Sequence, residues 1–85
     1  MASTIALAMI VKDEEDQLED CLASVKDIVS EICIVDTGSS DFTVEVARRF
    51  GAKIGVYIWS DDFSAMRNES LRLCTADWIF VLDAD

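Results

Sequence analysis

Apolar residues along this chain fall into two alternating kinds of segment. Four segments are short and nearly continuous: Ile5 to Val11, Ile32 to Val35, Lys53 to Trp59 with partial alternation, and Trp78 to Leu82. Runs of this length, rich in branched and aromatic side chains, are expected of strands covered on both faces. Between them, apolar residues recur at three- and four-residue spacing, the period of a helix with one buried face. Leu18, Cys21, Leu22, Val25, Ile28 and Val29 make one such stripe. Thr43, Val46, Ala47 and Phe50 make a second, and Phe63, Met66, Ser70, Leu71 and Cys74 a third.

The residues between these segments are good terminators. Asp13 can cap the first helix, whose acidic first turn suits the positive end of a helix dipole. The turn-rich stretch Asp36-Thr37-Gly38-Ser39-Ser40-Asp41 offers caps for the second helix, Gly51 stops it, and Asp61 or Asp62 opens the third. Strands alternating with helices predict an α/β fold, a three-layer α/β/α arrangement with a mainly parallel sheet and right-handed crossovers. Ligands of such sheets bind beyond the carboxyl ends of the strands, near the point where strand order reverses. Three polar clusters, Lys12–Asp13, Asp36–Asp41 and Asp83–Asp85, each follow a strand, so one rim should collect them.

Composition narrows the partners. The formal charge of −10, from 17 acidic and 7 basic side chains, repels a phosphate backbone and argues against nucleic acid. Convergent carboxylates instead favour a hard cation such as Mg²⁺ or Mn²⁺, although the acidic run from Asp13 to Asp20 reads as a solvated helix face. The chain is 52% hydrophobic, with no proline and three glycines, which excludes a low-complexity segment. Its 85 residues make one small domain at most, and such a domain buries only about 60–65% of its unfolded surface. Cys21, Cys33 and Cys74 lack zinc-site or redox-motif spacing and read as small buried hydrophobes in a reducing compartment. There is no membrane-spanning run and no signal-peptide pattern, so a cytoplasmic location is expected.

Asp83-Ala84-Asp85 places two carboxylates directly after a buried strand, with a small residue between them that leaves room for a ligand. A cation held there could bridge phosphates and neutralise charge on a diphosphate leaving group. Taken alone, an Asp-x-Asp is more often a polar strand end or a helix cap. Asp36, at the end of its strand, and Thr37 sit in a turn beside helix amides that could bind a nucleoside or phosphate, whereas capping explains Ser39, Ser40 and Asp41. Arg67 could pair with phosphate and Asn68 with a sugar hydroxyl; alternatively Arg67 pairs with Asp61, Asp62 or Glu69. With no histidine, a Ser-His-Asp or Cys-His arrangement cannot be built. Neither a P-loop nor a G-x-G-x-x-G fingerprint is present.

Taken in order, Met9 to Glu15, Ile34 to Asp41, Asp61 to Asn68 and Trp78 to Asp85 closely resemble the motifs of family 2 glycosyltransferases, over essentially the whole chain. The resemblance implies a nucleotide-diphospho-sugar transferase (GT-A) fold, truncated after its fourth strand, and metal-dependent transfer of a sugar from a nucleoside diphosphate sugar to an acceptor it does not specify. It further implies that residues 1–85 are the donor-binding half, with the acceptor site and catalytic base beyond Asp85. By motif, Asp83 and Asp85 resemble the metal-binding Asp-x-Asp pair, Asp83 also facing the donor diphosphate. Asp36 and Thr37 resemble the nucleotide site, and Arg67 and Asn68 the lining of the donor pocket. Thr37 stands where some relatives carry an acidic reader of uracil, which leaves the base open, and Asp13 stands where many have asparagine. A fourth strand without further neighbours predicts self-association through an apolar edge. Two rival readings are a receiver-like α/β module with Asp36 as phosphoacceptor, and a sugar nucleotidyltransferase, whose glycine-rich basic loop is replaced here by Lys12-Asp13-Glu14-Glu15.

Overall fold

A computed structural model of the chain describes residues 3–57 and 62–82. Strands and helices alternate as β1 (Ile5–Val11), α1 (Glu15–Val25), β2 (Glu31–Asp36), α2 (Thr43–Arg49), β3 (Lys53–Val56), α3 (Phe63–Arg72) and β4 (Trp78–Val81). All three strand pairings are parallel, and the sheet order is β3-β2-β1-β4. The chain therefore steps outward from β1 to β3 and then returns past β1 to place β4. Its order reverses between β1 and β4.

Alternation along the strands sorts the two faces. Leu7, Met9 and Val11 of β1 and Ile32 and Ile34 of β2 share one core with Leu18 and Leu22 of α1 and Val46 and Ala47 of α2. The opposite face carries smaller groups, including Ala6, Ala8 and Cys33, all fully buried. Helix α3 packs there across β1 and β2 and buries Met66 and Ser70. Gly55 of β3 belongs to this close approach, since a Cβ at this position would stand 3.3 Å from Cδ1 of Leu73. Right-handed crossovers explain the division, because α3 is the one helix whose connection runs in the reverse direction across the sheet. The three-layer α/β/α fold is thus the one its hydrophobic periodicity predicts.

Several details differ from the sequence expectation. Helix α1 ends at Val25, and Ile28, assigned to its stripe, lies beyond the helix and is 68% exposed. The N-cap of α1 is Glu14 rather than Asp13, because Asp13 adopts a left-handed conformation (φ 50°). Of the cysteines only Cys33 is buried; Cys21 and Cys74 are half-buried. Asp62 does cap α3, accepting from the Ala65 amide at 3.0 Å, while Trp59 and Asp61 lie outside the described residues.

Glu31 ties the amino-terminal edge of the sheet together. Its carboxylate accepts from Lys53 Nζ at 2.8 Å, from the Thr75 hydroxyl, and from the amides of Thr75 and Ala76. These donors, the Lys53 ammonium foremost, hold its pKa down from 4.5 to about 2. A carboxyl group with a depressed folded-state pKa stabilises the fold above its unfolded value and loses that contribution as pH falls through the folded one. Glu31→Gln should therefore be less stable than wild type at pH 7. The gap in urea midpoint should close as pH falls from 4.5 toward 2.

Candidate functional site

The loops after β1 and β2 are locked together at the carboxyl end of the sheet. Three consecutive amides of the first loop, from Asp13, Glu14 and Glu15, donate to Ser39 Oγ at 2.9 Å, Thr43 Oγ1 at 2.8 Å and Asp41 Oδ2 at 3.4 Å. Two of the orphan donors that open α1, the amides of Glu14 and Glu15, are thus satisfied by side chains that follow β2. In return, Asp13 Oδ1 accepts from the Ser40 amide at 2.7 Å and from the Ser40 hydroxyl. Asp41 also accepts from the amide and hydroxyl of Thr43, and these bonds, the hydroxyl first, hold its carboxyl below the usual range.

Thr43 is fully buried at the centre of this lock, accepting from Glu14 and donating to Asp41. Thr43→Val keeps the shape but leaves the Glu14 amide and an Asp41 oxygen short of a partner. It should cost about 1–3 kcal/mol, read as a lower urea midpoint at unchanged slope. The left-handed Asp13 gives a second test. Asparagine tolerates this conformation and keeps the acceptor oxygen, so Asp13→Asn should alter stability by less than about 0.5 kcal/mol. Asp13→Val should cost roughly 2–3 kcal/mol through strain and the lost acceptor.

Asp36 is 5% exposed at the end of β2. Its carboxylate accepts from the amides of Gly38 at 3.2 Å and Ser39 at 3.1 Å and from the Ser39 hydroxyl. Gly38, at φ 113°, gives the turn a conformation that other residues rarely adopt. Sequence reasoning assigned capping to Ser39, Ser40 and Asp41 and set Asp36 apart from it, yet Asp36 itself organises the turn. Thr37 is buried, with its amide and hydroxyl both donating to the Val11 carbonyl at 3.0 and 3.1 Å, so it fastens β2 to the end of β1.

On the other face, Arg67 is half-buried and Asn68 exposed, both midway along α3. Glu69, one of the partners considered for Arg67, forms an ion pair with Arg72. Asp83 and Asp85 lie outside the described residues; β4 leads into them from its place beside β1. The structure therefore unites Asp36 and Thr37 with the loop after β1 and sets Arg67 and Asn68 on α3. Sequence reasoning missed Thr43 as a joining residue, and the signal available was a hydroxyl at a buried position of an otherwise apolar stripe.

Comparison with known proteins decides the family. Residues 6–85 match the Glycosyl transferase family 2. The chain belongs to that family. It is 53% identical over 81 residues to a TPR repeat-containing protein of Synechococcus elongatus, covering 95% of this chain and 20% of that protein. It is 36% identical over 84 residues to the SPbeta prophage-derived glycosyltransferase SunS of Bacillus subtilis, covering 96% of this chain and 20% of the relative. In three dimensions it superposes on glucosyl-3-phosphoglycerate synthase of Mycobacterium tuberculosis, crystallised with Mn²⁺, UDP and glucosyl-3-phosphoglycerate. The TM-score is 0.80 at 22% identity, over 99% of this chain and 34% of the synthase. That likeness shows the shared GT-A fold of the family 2 enzymes. The chain spans only a fifth to a third of the length of these proteins.

Proposed function

We propose that residues 1–85 form the donor-binding part of a glycosyltransferase that moves a sugar from a nucleoside diphosphate sugar to an acceptor. The observation that carries this reading is the strand order β3-β2-β1-β4. Its reversal between β1 and β4 is where doubly wound sheets bind nucleotides, and the fused β1 and β2 loops border it. The family membership and the fold shared with a UDP- and Mn²⁺-binding synthase support the same reading. In it, Asp36 holds the turn that shapes the nucleoside pocket and Thr37 fixes that turn to β1. Arg67 and Asn68 line the donor's phosphate and sugar side.

The rim chemistry suits a divalent cation held by Asp83 and Asp85. The carboxylates of Asp13, Asp36 and Asp41 are already engaged by amides and hydroxyls of their own loops. Two oxygen donors after β4 match Mg²⁺ or Mn²⁺, which would offset negative charge on the donor diphosphate. The receiver-like alternative loses its phosphoacceptor, because the Asp36 carboxylate is buried and occupied by three donors. Among the described residues no helix is long and apolar enough to cross a membrane. We place the protein in the cytoplasm because its free cysteines suit a reducing compartment.

Calorimetric titration with UDP, GDP and dTDP, with and without Mn²⁺, tests donor binding in a polypeptide that carries the remaining length of the relatives. Metal-dependent heat with one nucleotide is expected; none with any nucleotide refutes the reading. Strand β4 supplies a further expectation. Trp78, Ile79, Phe80 and Val81 are 40–66% exposed along one edge, beside an apolar cavity of about 330 Å³ lined in part by Val25, Ile28 and Val29. Residues 1–85 alone should self-associate through this edge in sedimentation velocity, and Phe80→Lys should shift them toward monomer.

A further inference from the structure

At the amino-terminal end of the strands, opposite the rim, two cysteines distant in sequence come together. The sulfurs of Cys33 in β2 and Cys74 just after α3, with a carboxylate oxygen of Glu31, lie within 4.8 Å of one another. Cys33 is fully buried, while Cys74 is half-buried and its thiol donates to the Ser70 carbonyl at 3.5 Å. The geometry does not suit a cation, because both Glu31 oxygens are taken by Lys53, Thr75 and Ala76. The Lys53 ammonium beside them would also repel a metal ion. What remains is a thiol pair with one member reachable from solvent.

We propose that Cys33 and Cys74 are an oxidisable dithiol that closes to a disulfide when the protein meets a peroxide. The sulfur of Cys74 attacks one peroxide oxygen, the O–O bond breaks, and a sulfenic acid and water form. The sulfur of Cys33 then attacks the Cys74 sulfur, the S–O bond breaks, and the thiol proton leaves with hydroxide as a second water. Two electrons pass from the sulfurs to the peroxide. Burial and the neighbouring Cys74 push the Cys33 thiol up to about 12, which keeps it protonated and leaves the more exposed Cys74 to meet the peroxide first. The Lys53 ammonium, paired with Glu31 at 2.8 Å, adds positive charge to the surroundings of both sulfurs.

The link would bind β2 to the end of α3, the helix that carries Arg67 and Asn68. Closing so long a loop should raise the thermal midpoint by about 10 °C or more, reversibly with dithiothreitol. Trypsin separates the three cysteines: Cys21 falls in peptide 13–26, Cys33 in peptide 27–48, and Cys74 in the peptide that begins at Leu73. After treatment with hydrogen peroxide and digestion without reductant, mass spectrometry should find the second and third joined, two hydrogens lighter than their sum. Cys21→Ser should keep that species and Cys74→Ser should abolish it. Three outcomes overturn the proposal: both peptides remaining reduced, Cys21 taking part in the link, or Cys74 advancing to sulfinic acid without any cross-link.

Discussion

Replacing Asp85 by alanine should lower metal-dependent sugar transfer by at least about a hundred-fold, with the circular dichroism spectrum unchanged. The assay requires a polypeptide carrying the remaining length of the relatives. The size of the effect follows from how few carboxylates the rim leaves available. Asp36, Asp13 and Asp41 each hold a loop together through hydrogen bonds to backbone amides. Turning the engaged oxygens of any of them to a cation would weaken the turn it organises. If Asp83 and Asp85 carry the metal, removing one also removes a full negative charge that no neighbour replaces. Initial rates across a Mn²⁺ series separate the possibilities. A loss that high Mn²⁺ partly restores points to metal affinity, and a loss that persists at saturation points to placement of the donor diphosphate. Near-normal rates at low Mn²⁺ would remove Asp85 from the site.

The sequence is a good guide to the sheet and a poorer one to the joints between its loops. Ile5 to Val11 coincides with β1 because a strand covered on both faces admits apolar residues alone, and its ends are marked by polar ones. Helix ends are less legible, because the period of an apolar stripe continues past the last helical turn. Asp13 resembled a cap by type, yet the residue that satisfies the Glu15 amide is Asp41 from the next loop. No local spacing can announce a partner 26 positions away. The same holds for Cys33 and Cys74, whose approach depends on α3 crossing β2 on the far face. Asp36 was legible as a rim residue because it ends a strand, whereas its three hydrogen bonds depend on the backbone turn at Gly38.

Leu22 and Ile28 stand on one stripe in the sequence, yet substituting each by alanine should give opposite results. Leu22 is fully buried in the core shared by α1, α2, β1 and β2. Removing three carbons there leaves a cavity that the surrounding strands can only partly close, at a cost of roughly 2–5 kcal/mol. A domain of 85 residues has roughly 4–13 kcal/mol of net stability in total, so Leu22→Ala should lower the urea midpoint severely and approach unfolding in buffer. Ile28 follows the end of α1 and is 68% exposed. With little surface withdrawn from water, Ile28→Ala should change stability by less than about 0.5 kcal/mol. Equal losses would mean that the helix continues past Val25 and carries Ile28 into the core. The exposure of Ile28 has a second consequence, since it lines the apolar cavity beside β4 with Val25, Val29 and Phe80. In a polypeptide with the remaining length of the relatives, a segment that packs over this cavity would cover this side chain. Ile28→Ala should then become costly there while staying nearly neutral in residues 1–85 alone.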